Sequence, residues 1–129
     1  AHSLDINDLH IIQTPYQIEN GAKAFETLMA ADQTPTVVMC GNDVLAAGAI
    51  SKARELGLRI PNDVSVTGFD DIELASITSP EITTVHVSHR RMGKEAASIL
   101  INMLGSQPTP FTTELKTTLK IRSSLTRLS

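Results

Sequence analysis

Two adjacent carboxylates, Asp70 and Asp71, close the stretch Gly68-Phe69-Asp70-Asp71. Such a pair can exchange a proton, help hold a divalent cation, or accept hydrogen bonds from hydroxyl and N–H groups of a ligand. Comparable groups recur along the chain: Tyr16 after Thr14-Pro15, Asn42 and Asp43 after Val37–Cys40, and Ser88-His89 after Thr83–Val87. A ring face, a carboxamide that both donates and accepts, carboxylates and an imidazole suit the recognition of a polar small molecule. Catalysis finds less support. Ser88 and His89 with an Asp are parts of a triad, but no G-x-S-x-G elbow exists, and adjacent residues on a strand-to-helix turn rarely face each other. No G-x-G-x-x-G follows a strand, and no phosphate loop accompanies the carboxylates. Enzyme readings are left without a mechanism, and no metal or cofactor is expected. Two structural readings stand beside the chemical ones. Asn42 is well placed to cap a helix, and Asp71 reads as structural, because neighbouring side chains past a strand end tend to point apart.

These residues need elements to position them. Leu9–Ile12 is a short apolar run read as a strand that stops at Thr14-Pro15, since proline cannot join a central ladder. Ile18, Ala22, Phe25, Leu28 and Met29 form a helical stripe within Gln17–Ala31. Thr36–Cys40 is a β-branched run of buried-strand type. A second helix follows, 43–56, capped by Asn42 or Asp43 and stopped by Gly57. Its apolar residues occupy more than one face, so it is expected to meet a partner besides the sheet. Val64–Thr67 alternates as a strand, launched by the turn Pro61-Asn62-Asp63. Glu73–Ile77 reads as a short helical turn and Thr83–Val87 as another strand. A third helix, 91–104, carries Met92, Ala96, Ile99, Leu100, Met103 and Leu104 on one side and ends at Gly105. The tail, Phe111–Ser124, reads as one or two strands broken near Lys116-Thr117. Strands alternating with helices imply a parallel sheet with right-handed crossovers. All strand C-termini then share one rim, where open α/β sheets place ligands.

Composition bounds the class. The 129 residues, 41% hydrophobic and 19% charged, suit one globular domain. A net charge of −3 with scattered basic residues argues against a polyanion-binding surface, and the Arg90-Arg91 pair reads as a solvated helix start. Cys40 is the only cysteine, so an internal disulfide is impossible and the thiol reads as a small buried hydrophobe. No apolar run reaches membrane-spanning length and the first residues show no secretory pattern, so no membrane partner and a cytoplasmic location are expected.

Four blocks then carry a resemblance: P-T-V-V-M-C-G-N-D-V-L-A-A-G-A (35–49), G-L-R-I-P-N-D-V-S-V-T-G-F-D-D (57–71), P-E-I-T-T-V (80–85) and G-K-E-A-A (93–97). In this order and spacing they resemble the C-terminal part of the lactose/galactose-repressor (LacI/GalR) family. The resemblance covers about 21–124 and implies an α/β fold: a parallel-sheet three-layer sandwich, one lobe of a periplasmic-binding-protein-like (type I) domain. It implies that 1–129 is a partial effector-binding and dimerisation domain, the second lobe, with about 83–111 crossing towards an absent first lobe. The helix-turn-helix would be absent, and operator DNA would be read only through that missing N-terminal domain. It further implies Asp70, Asn42, Tyr16 and His89 as effector contacts, although relatives often show Gln-Pro where this chain has Val87-Ser88. The effector would be a sugar, a sugar acid or, with less support, a nucleobase. A homodimer would form through helix 43–56 and the stretch 73–80. The exposed stripe of helix 91–104 is expected to be orphaned. The alternative is a periplasmic sugar-binding protein of a transport system, which shares the fold.

Overall fold

Val37-Val38-Met39 supplies β-branched residues between Pro35 and Gly41, and in the computed structural model, which describes residues 10–110 and 112–127, it forms β1 (Val37–Met39). Its parallel partner is β2 (Ser65–Thr67), in the register Val38 with Val66. The ladder extends past both strands through the bonds Ser65 N–H to Thr36 O (2.9 Å) and Cys40 N–H to Thr67 O (2.8 Å).

α1 (Ile18–Met29) precedes β1, and α2 (Asp43–Glu55) is the crossover between the two strands. Strand alternation turns Val38 and Val66 towards these helices, where they join Phe25, Ala46, Ala49, Ile50 and Ala53 in one buried core. Val37 and Met39 face the other way, and Met39 is 84% exposed. The surplus apolar surface of α2 has its explanation here. One side meets the sheet, another meets α1, and α2 also touches α3 (Leu74–Ile77). The α1–α2 contact is close because of two glycines. A Cβ at Gly21 would strike the Leu45 backbone, and one at Gly48 would strike the backbone of Ile18 and Ala22. α2 stops in a Schellman turn: Leu58 N–H bonds Ala53 O (2.8 Å), Gly57 N–H bonds Arg54 O (3.1 Å), and Gly57 has φ +72°.

The second half begins with β3 (Thr84–His86), which pairs antiparallel with β4 (Thr118–Lys120). Parallel bridges, Thr67 with Thr83 and Asp70 with His86, attach β3 to the end of β2. Ser124 fills the space beside Val66: its backbone bonds Val66 N–H and Glu81 O, and its hydroxyl links Val66 O and Thr83 N–H. α4 (His89–Leu104) follows β3 and buries none of its residues. Met92, Leu100, Ile101, Met103 and Leu104 are all exposed, so the orphaned stripe expected on this helix is present.

Two expected strands differ. Residues 10–12 join no strand ladder among the described residues, and Leu9 lies outside them. The physical reason is a cavity of about 540 Å³ between this segment, α1 and the open edge of β1. Without a strand in that gap the backbones of Ile11 and Val37 cannot form a ladder. In the tail, only 118–120 is a strand; 112–117 makes no ladder, and Phe111 lies outside the described residues. The antiparallel partner offered by β3 is three residues long, which limits how far β4 can extend.

Candidate functional site

The C-terminal ends of β1, β2 and β3 lie side by side, and the expected site residues come from the turns that follow them. Asn42 precedes α2, and its Oδ1 accepts from Leu45 N–H at 2.9 Å, so it does cap the helix. Its amide nitrogen makes no hydrogen bond among the described residues and can still donate to a ligand. Tyr16 is 67% exposed, and its ring lies against Gly41, where a Cβ would come within 3.3 Å of the ring edge. Glycine at 41 thus lets the ring sit beside the Asn42 turn.

Asp43, read from the sequence as a possible cap and as one of the polar groups on the rim, has a structural role. It is fully buried, and its carboxylate accepts from Thr84 Oγ1 (2.6 Å) and Ile72 N–H (2.9 Å). Its own N–H donates to Phe69 O at 3.0 Å. One residue therefore joins the turn after β1 to the turn after β2 and to β3. A Cβ at Gly68 would collide with this carboxylate, which explains the glycine ending β2.

Asp70 and Asp71 have consecutive positive φ angles, 101° and 56°. This backbone sends their side chains to different surroundings. Asp71 has both oxygens occupied, by Arg122 Nη2 at 2.6 Å and His86 Nδ1 at 2.9 Å. Burial pushes its carboxyl up, but the bonds from Arg122 and His86 outweigh burial and hold it below the usual range. Asp70 is part-exposed, and its carboxylate accepts no hydrogen bond among the described residues. Its only ionisable contact there is His89, with Nε2 at 3.7 Å from Oδ1.

The structure thus brings Tyr16 beside the Asn42 turn and Asp70 beside His89, and Asp43 ties the two turns together. None of these four side chains lines the 540 Å³ cavity, whose walls include Ile11, Ile12, Phe25, Leu28, Val37 and Met39. That space is a gap at the open sheet edge, whereas the polar groups sit on the rim. Cys40 borders the gap; burial, and secondarily the charge of Asp43, pushes its thiol up to about 12. Among the described residues no group of His, Cys, Asp and Glu could hold a metal ion. Sequence reading missed Arg122 and His86, and no local signal marks Arg122, whose partner Asp71 is 51 residues away.

The periplasmic binding protein-like domain family matches residues 1–125. The chain belongs to this family. Within it the chain is of the LacI/GalR effector-binding type. It is 41% identical over 97 residues to the HTH-type transcriptional repressor PurR of Pectobacterium atrosepticum, covering 75% of this chain and 28% of that protein. The chain spans less than a third of the length of the curated relatives it matches. A LacI-family transcriptional regulator of Bifidobacterium animalis subsp. lactis superposes with a TM-score of 0.83 at 27% identity, over 88% of this chain and 42% of that one. A LacI-family regulator of Arthrobacter in complex with lactose gives 0.75 at 28%, over 84% and 42%. The expected α/β periplasmic-binding-protein-like fold is therefore found. These relatives are transcriptional regulators, and no helix among the described residues is long and apolar enough to cross a membrane.

Proposed function

We propose that this chain supplies one wall of the effector cleft of a cytoplasmic, ligand-responsive transcriptional regulator. The observation that carries the reading is Asp70. Of the three carboxylates on the rim, Asp43 and Asp71 are consumed by internal bonds, and Asp70 alone is left facing outward without a hydrogen bond among the described residues. Asp70 accepts from ligand hydroxyl or N–H groups, the Asn42 amide donates, the Tyr16 ring offers a stacking face, and His89 lines the neighbouring edge. The 1–129 segment is the second lobe, with 83–111 passing towards a first lobe that completes the cleft. Effector binding between lobes would shift their relative orientation and so alter how a homodimer presents its DNA-binding heads. Helix 43–56 and the stretch 73–80 form the dimer surface in this reading, where Leu56 and Ile77 remain exposed.

A sugar or sugar acid is the favoured effector, because a carboxylate and an amide side by side match vicinal hydroxyls; the lactose complex of the Arthrobacter regulator supports this class. A nucleobase is the second reading, favoured by the exposed Tyr16 ring and the likeness to PurR. The test is a thermal-shift and calorimetry panel of neutral sugars, aldonates and nucleobases on the full-length regulator and its Asp70→Ala variant. The expected result is stabilisation by one class, lost in the variant, with the unliganded melting temperature nearly unchanged. A variant that responds as the wild type does would overturn the assignment of Asp70.

A further inference from the structure

We propose that Arg122 is a positioning residue for Asp70, acting through Asp71 together with His86. The inference rests on the reading of Asp70 as an effector contact and extends it to a residue from the far end of the chain.

Positive φ is unfavourable for any residue with a Cβ, and here two such residues are adjacent, Asp70 at 101° and Asp71 at 56°. Backbone of this kind persists only where its surroundings over-determine it. Main-chain bonds hold Asp70 on both sides: its N–H donates to Val85 O at 3.0 Å, and its carbonyl accepts from Val87 N–H at 3.4 Å. The second of these is long. The remaining restraint is the Asp71 side chain, 12% exposed, with one oxygen on Arg122 and the other on His86.

Arg122 is itself anchored. Its Nη1 donates to Ile82 O at 2.9 Å, its backbone N–H donates to Thr83 Oγ1 at 2.9 Å, and its side chain is 18% exposed. Glu81 is the other charged group against it, with Oε2 at 3.8 Å from Nε. A planar guanidinium can hold the Ile82 carbonyl and the Asp71 carboxylate at once. The clamp therefore fixes Asp71 from two directions, and Asp71 fixes the φ of its neighbour. Its two arms leave the β3–β4 ribbon, His86 from the end of β3 and Arg122 two residues past β4. Displacement of that ribbon against the β1–β2 core reaches Asp70 through Asp71.

The test is hydrogen–deuterium exchange on the full-length protein without ligand. The Asp70 amide is read against that of Val66, which donates to Ser124 O in the core. Arg122→Ala should lower the protection of the Asp70 amide at least about tenfold more than that of Val66. Combining Arg122→Ala with Asp71→Gly should restore much of it, because glycine adopts the left-handed conformation at no cost. If Arg122→Ala fails to fold, Arg122→Gln keeps the reach without the charge and should give a smaller fall in the same sense. A parallel fall at Asp70 and Val66, or no fall at Asp70, would overturn the proposal. No effector enters this measurement, so its failure leaves the reading of Asp70 as a ligand contact standing. Conversely, a wild-type ligand response in Asp70→Ala removes that reading without touching the clamp.

Discussion

Asp43→Ala removes the buried carboxylate that joins the turns after β1 and β2. Three losses follow from the geometry. The charge-assisted bond from Thr84 Oγ1, at 2.6 Å, is worth about 1.5–3 kcal/mol. Ile72 N–H is left without its acceptor, at a cost of about 1–3 kcal/mol. A negative charge in the first turn of α2 is also lost, worth up to about 1 kcal/mol. Relief of the desolvation of a buried carboxylate offsets part of this. The net expectation is a destabilisation of about 3–4 kcal/mol, read from urea unfolding followed by circular dichroism at neutral pH. Asp43→Asn keeps an acceptor for Ile72 N–H and should cost about half as much. A cycle with Thr84→Val isolates the side-chain pair and should return a coupling of about 1–2 kcal/mol. A loss below about 1 kcal/mol for Asp43→Ala, or a coupling indistinguishable from zero, would refute the view that this carboxylate organises the rim.

Gly48→Ala should destabilise by about 1–3 kcal/mol despite the higher helix propensity of alanine, because the added Cβ meets Ile18 and Ala22 backbone across the α1–α2 contact; urea midpoints measure it, and a gain in stability would contradict the close packing. Cys40, with its thiol pushed up to about 12, should be nearly inert to a disulfide reagent at pH 8 when folded and react rapidly in denaturant, with a thiolate fraction of only about one in ten thousand in the native state. Acid should unfold the chain partly through Asp71 and Asp63. Both carboxyls are held below the usual 3.8, Asp63 at about 2 by hydrogen bonds from Arg59, so their stabilisation is complete above about pH 5 and is lost as pH falls through the folded-state values. Unfolding midpoints at pH 5, 4 and 3 should fall less steeply in Asp71→Asn than in the wild type.

The order of strands and helices was legible in the sequence because the apolar spacing changes period at each turn signal. Val37–Met39, the 43–56 helix and Ser65–Thr67 stand where β-branched runs and a glycine stop put them. The failures share one cause. A run such as Ile11-Ile12 has strand character, but a strand needs a neighbour, and across the gap from β1 it has none. Likewise the tail forms a ladder only over the three residues that β3 can pair.

For the site, residue type and position past each strand marked a wider set of polar groups on one rim, and the block resemblance singled out Tyr16, Asn42, Asp70 and His89 from it and supplied the family. Types and spacing read Asp71 as structural without naming its partners, and left Asp43 undecided between cap and rim group. Asp43, Asp70 and Asp71 have the same chemistry and similar places in the sequence. What separates them is contact with residues remote in the chain: Thr84 for Asp43, Arg122 and His86 for Asp71, and only the more distant His89 for Asp70. Local sequence determines where a side chain leaves the backbone. Which carboxylate remains free for a ligand depends on hydrogen bonds closed across 41 and 51 residues, and only the folded chain forms them.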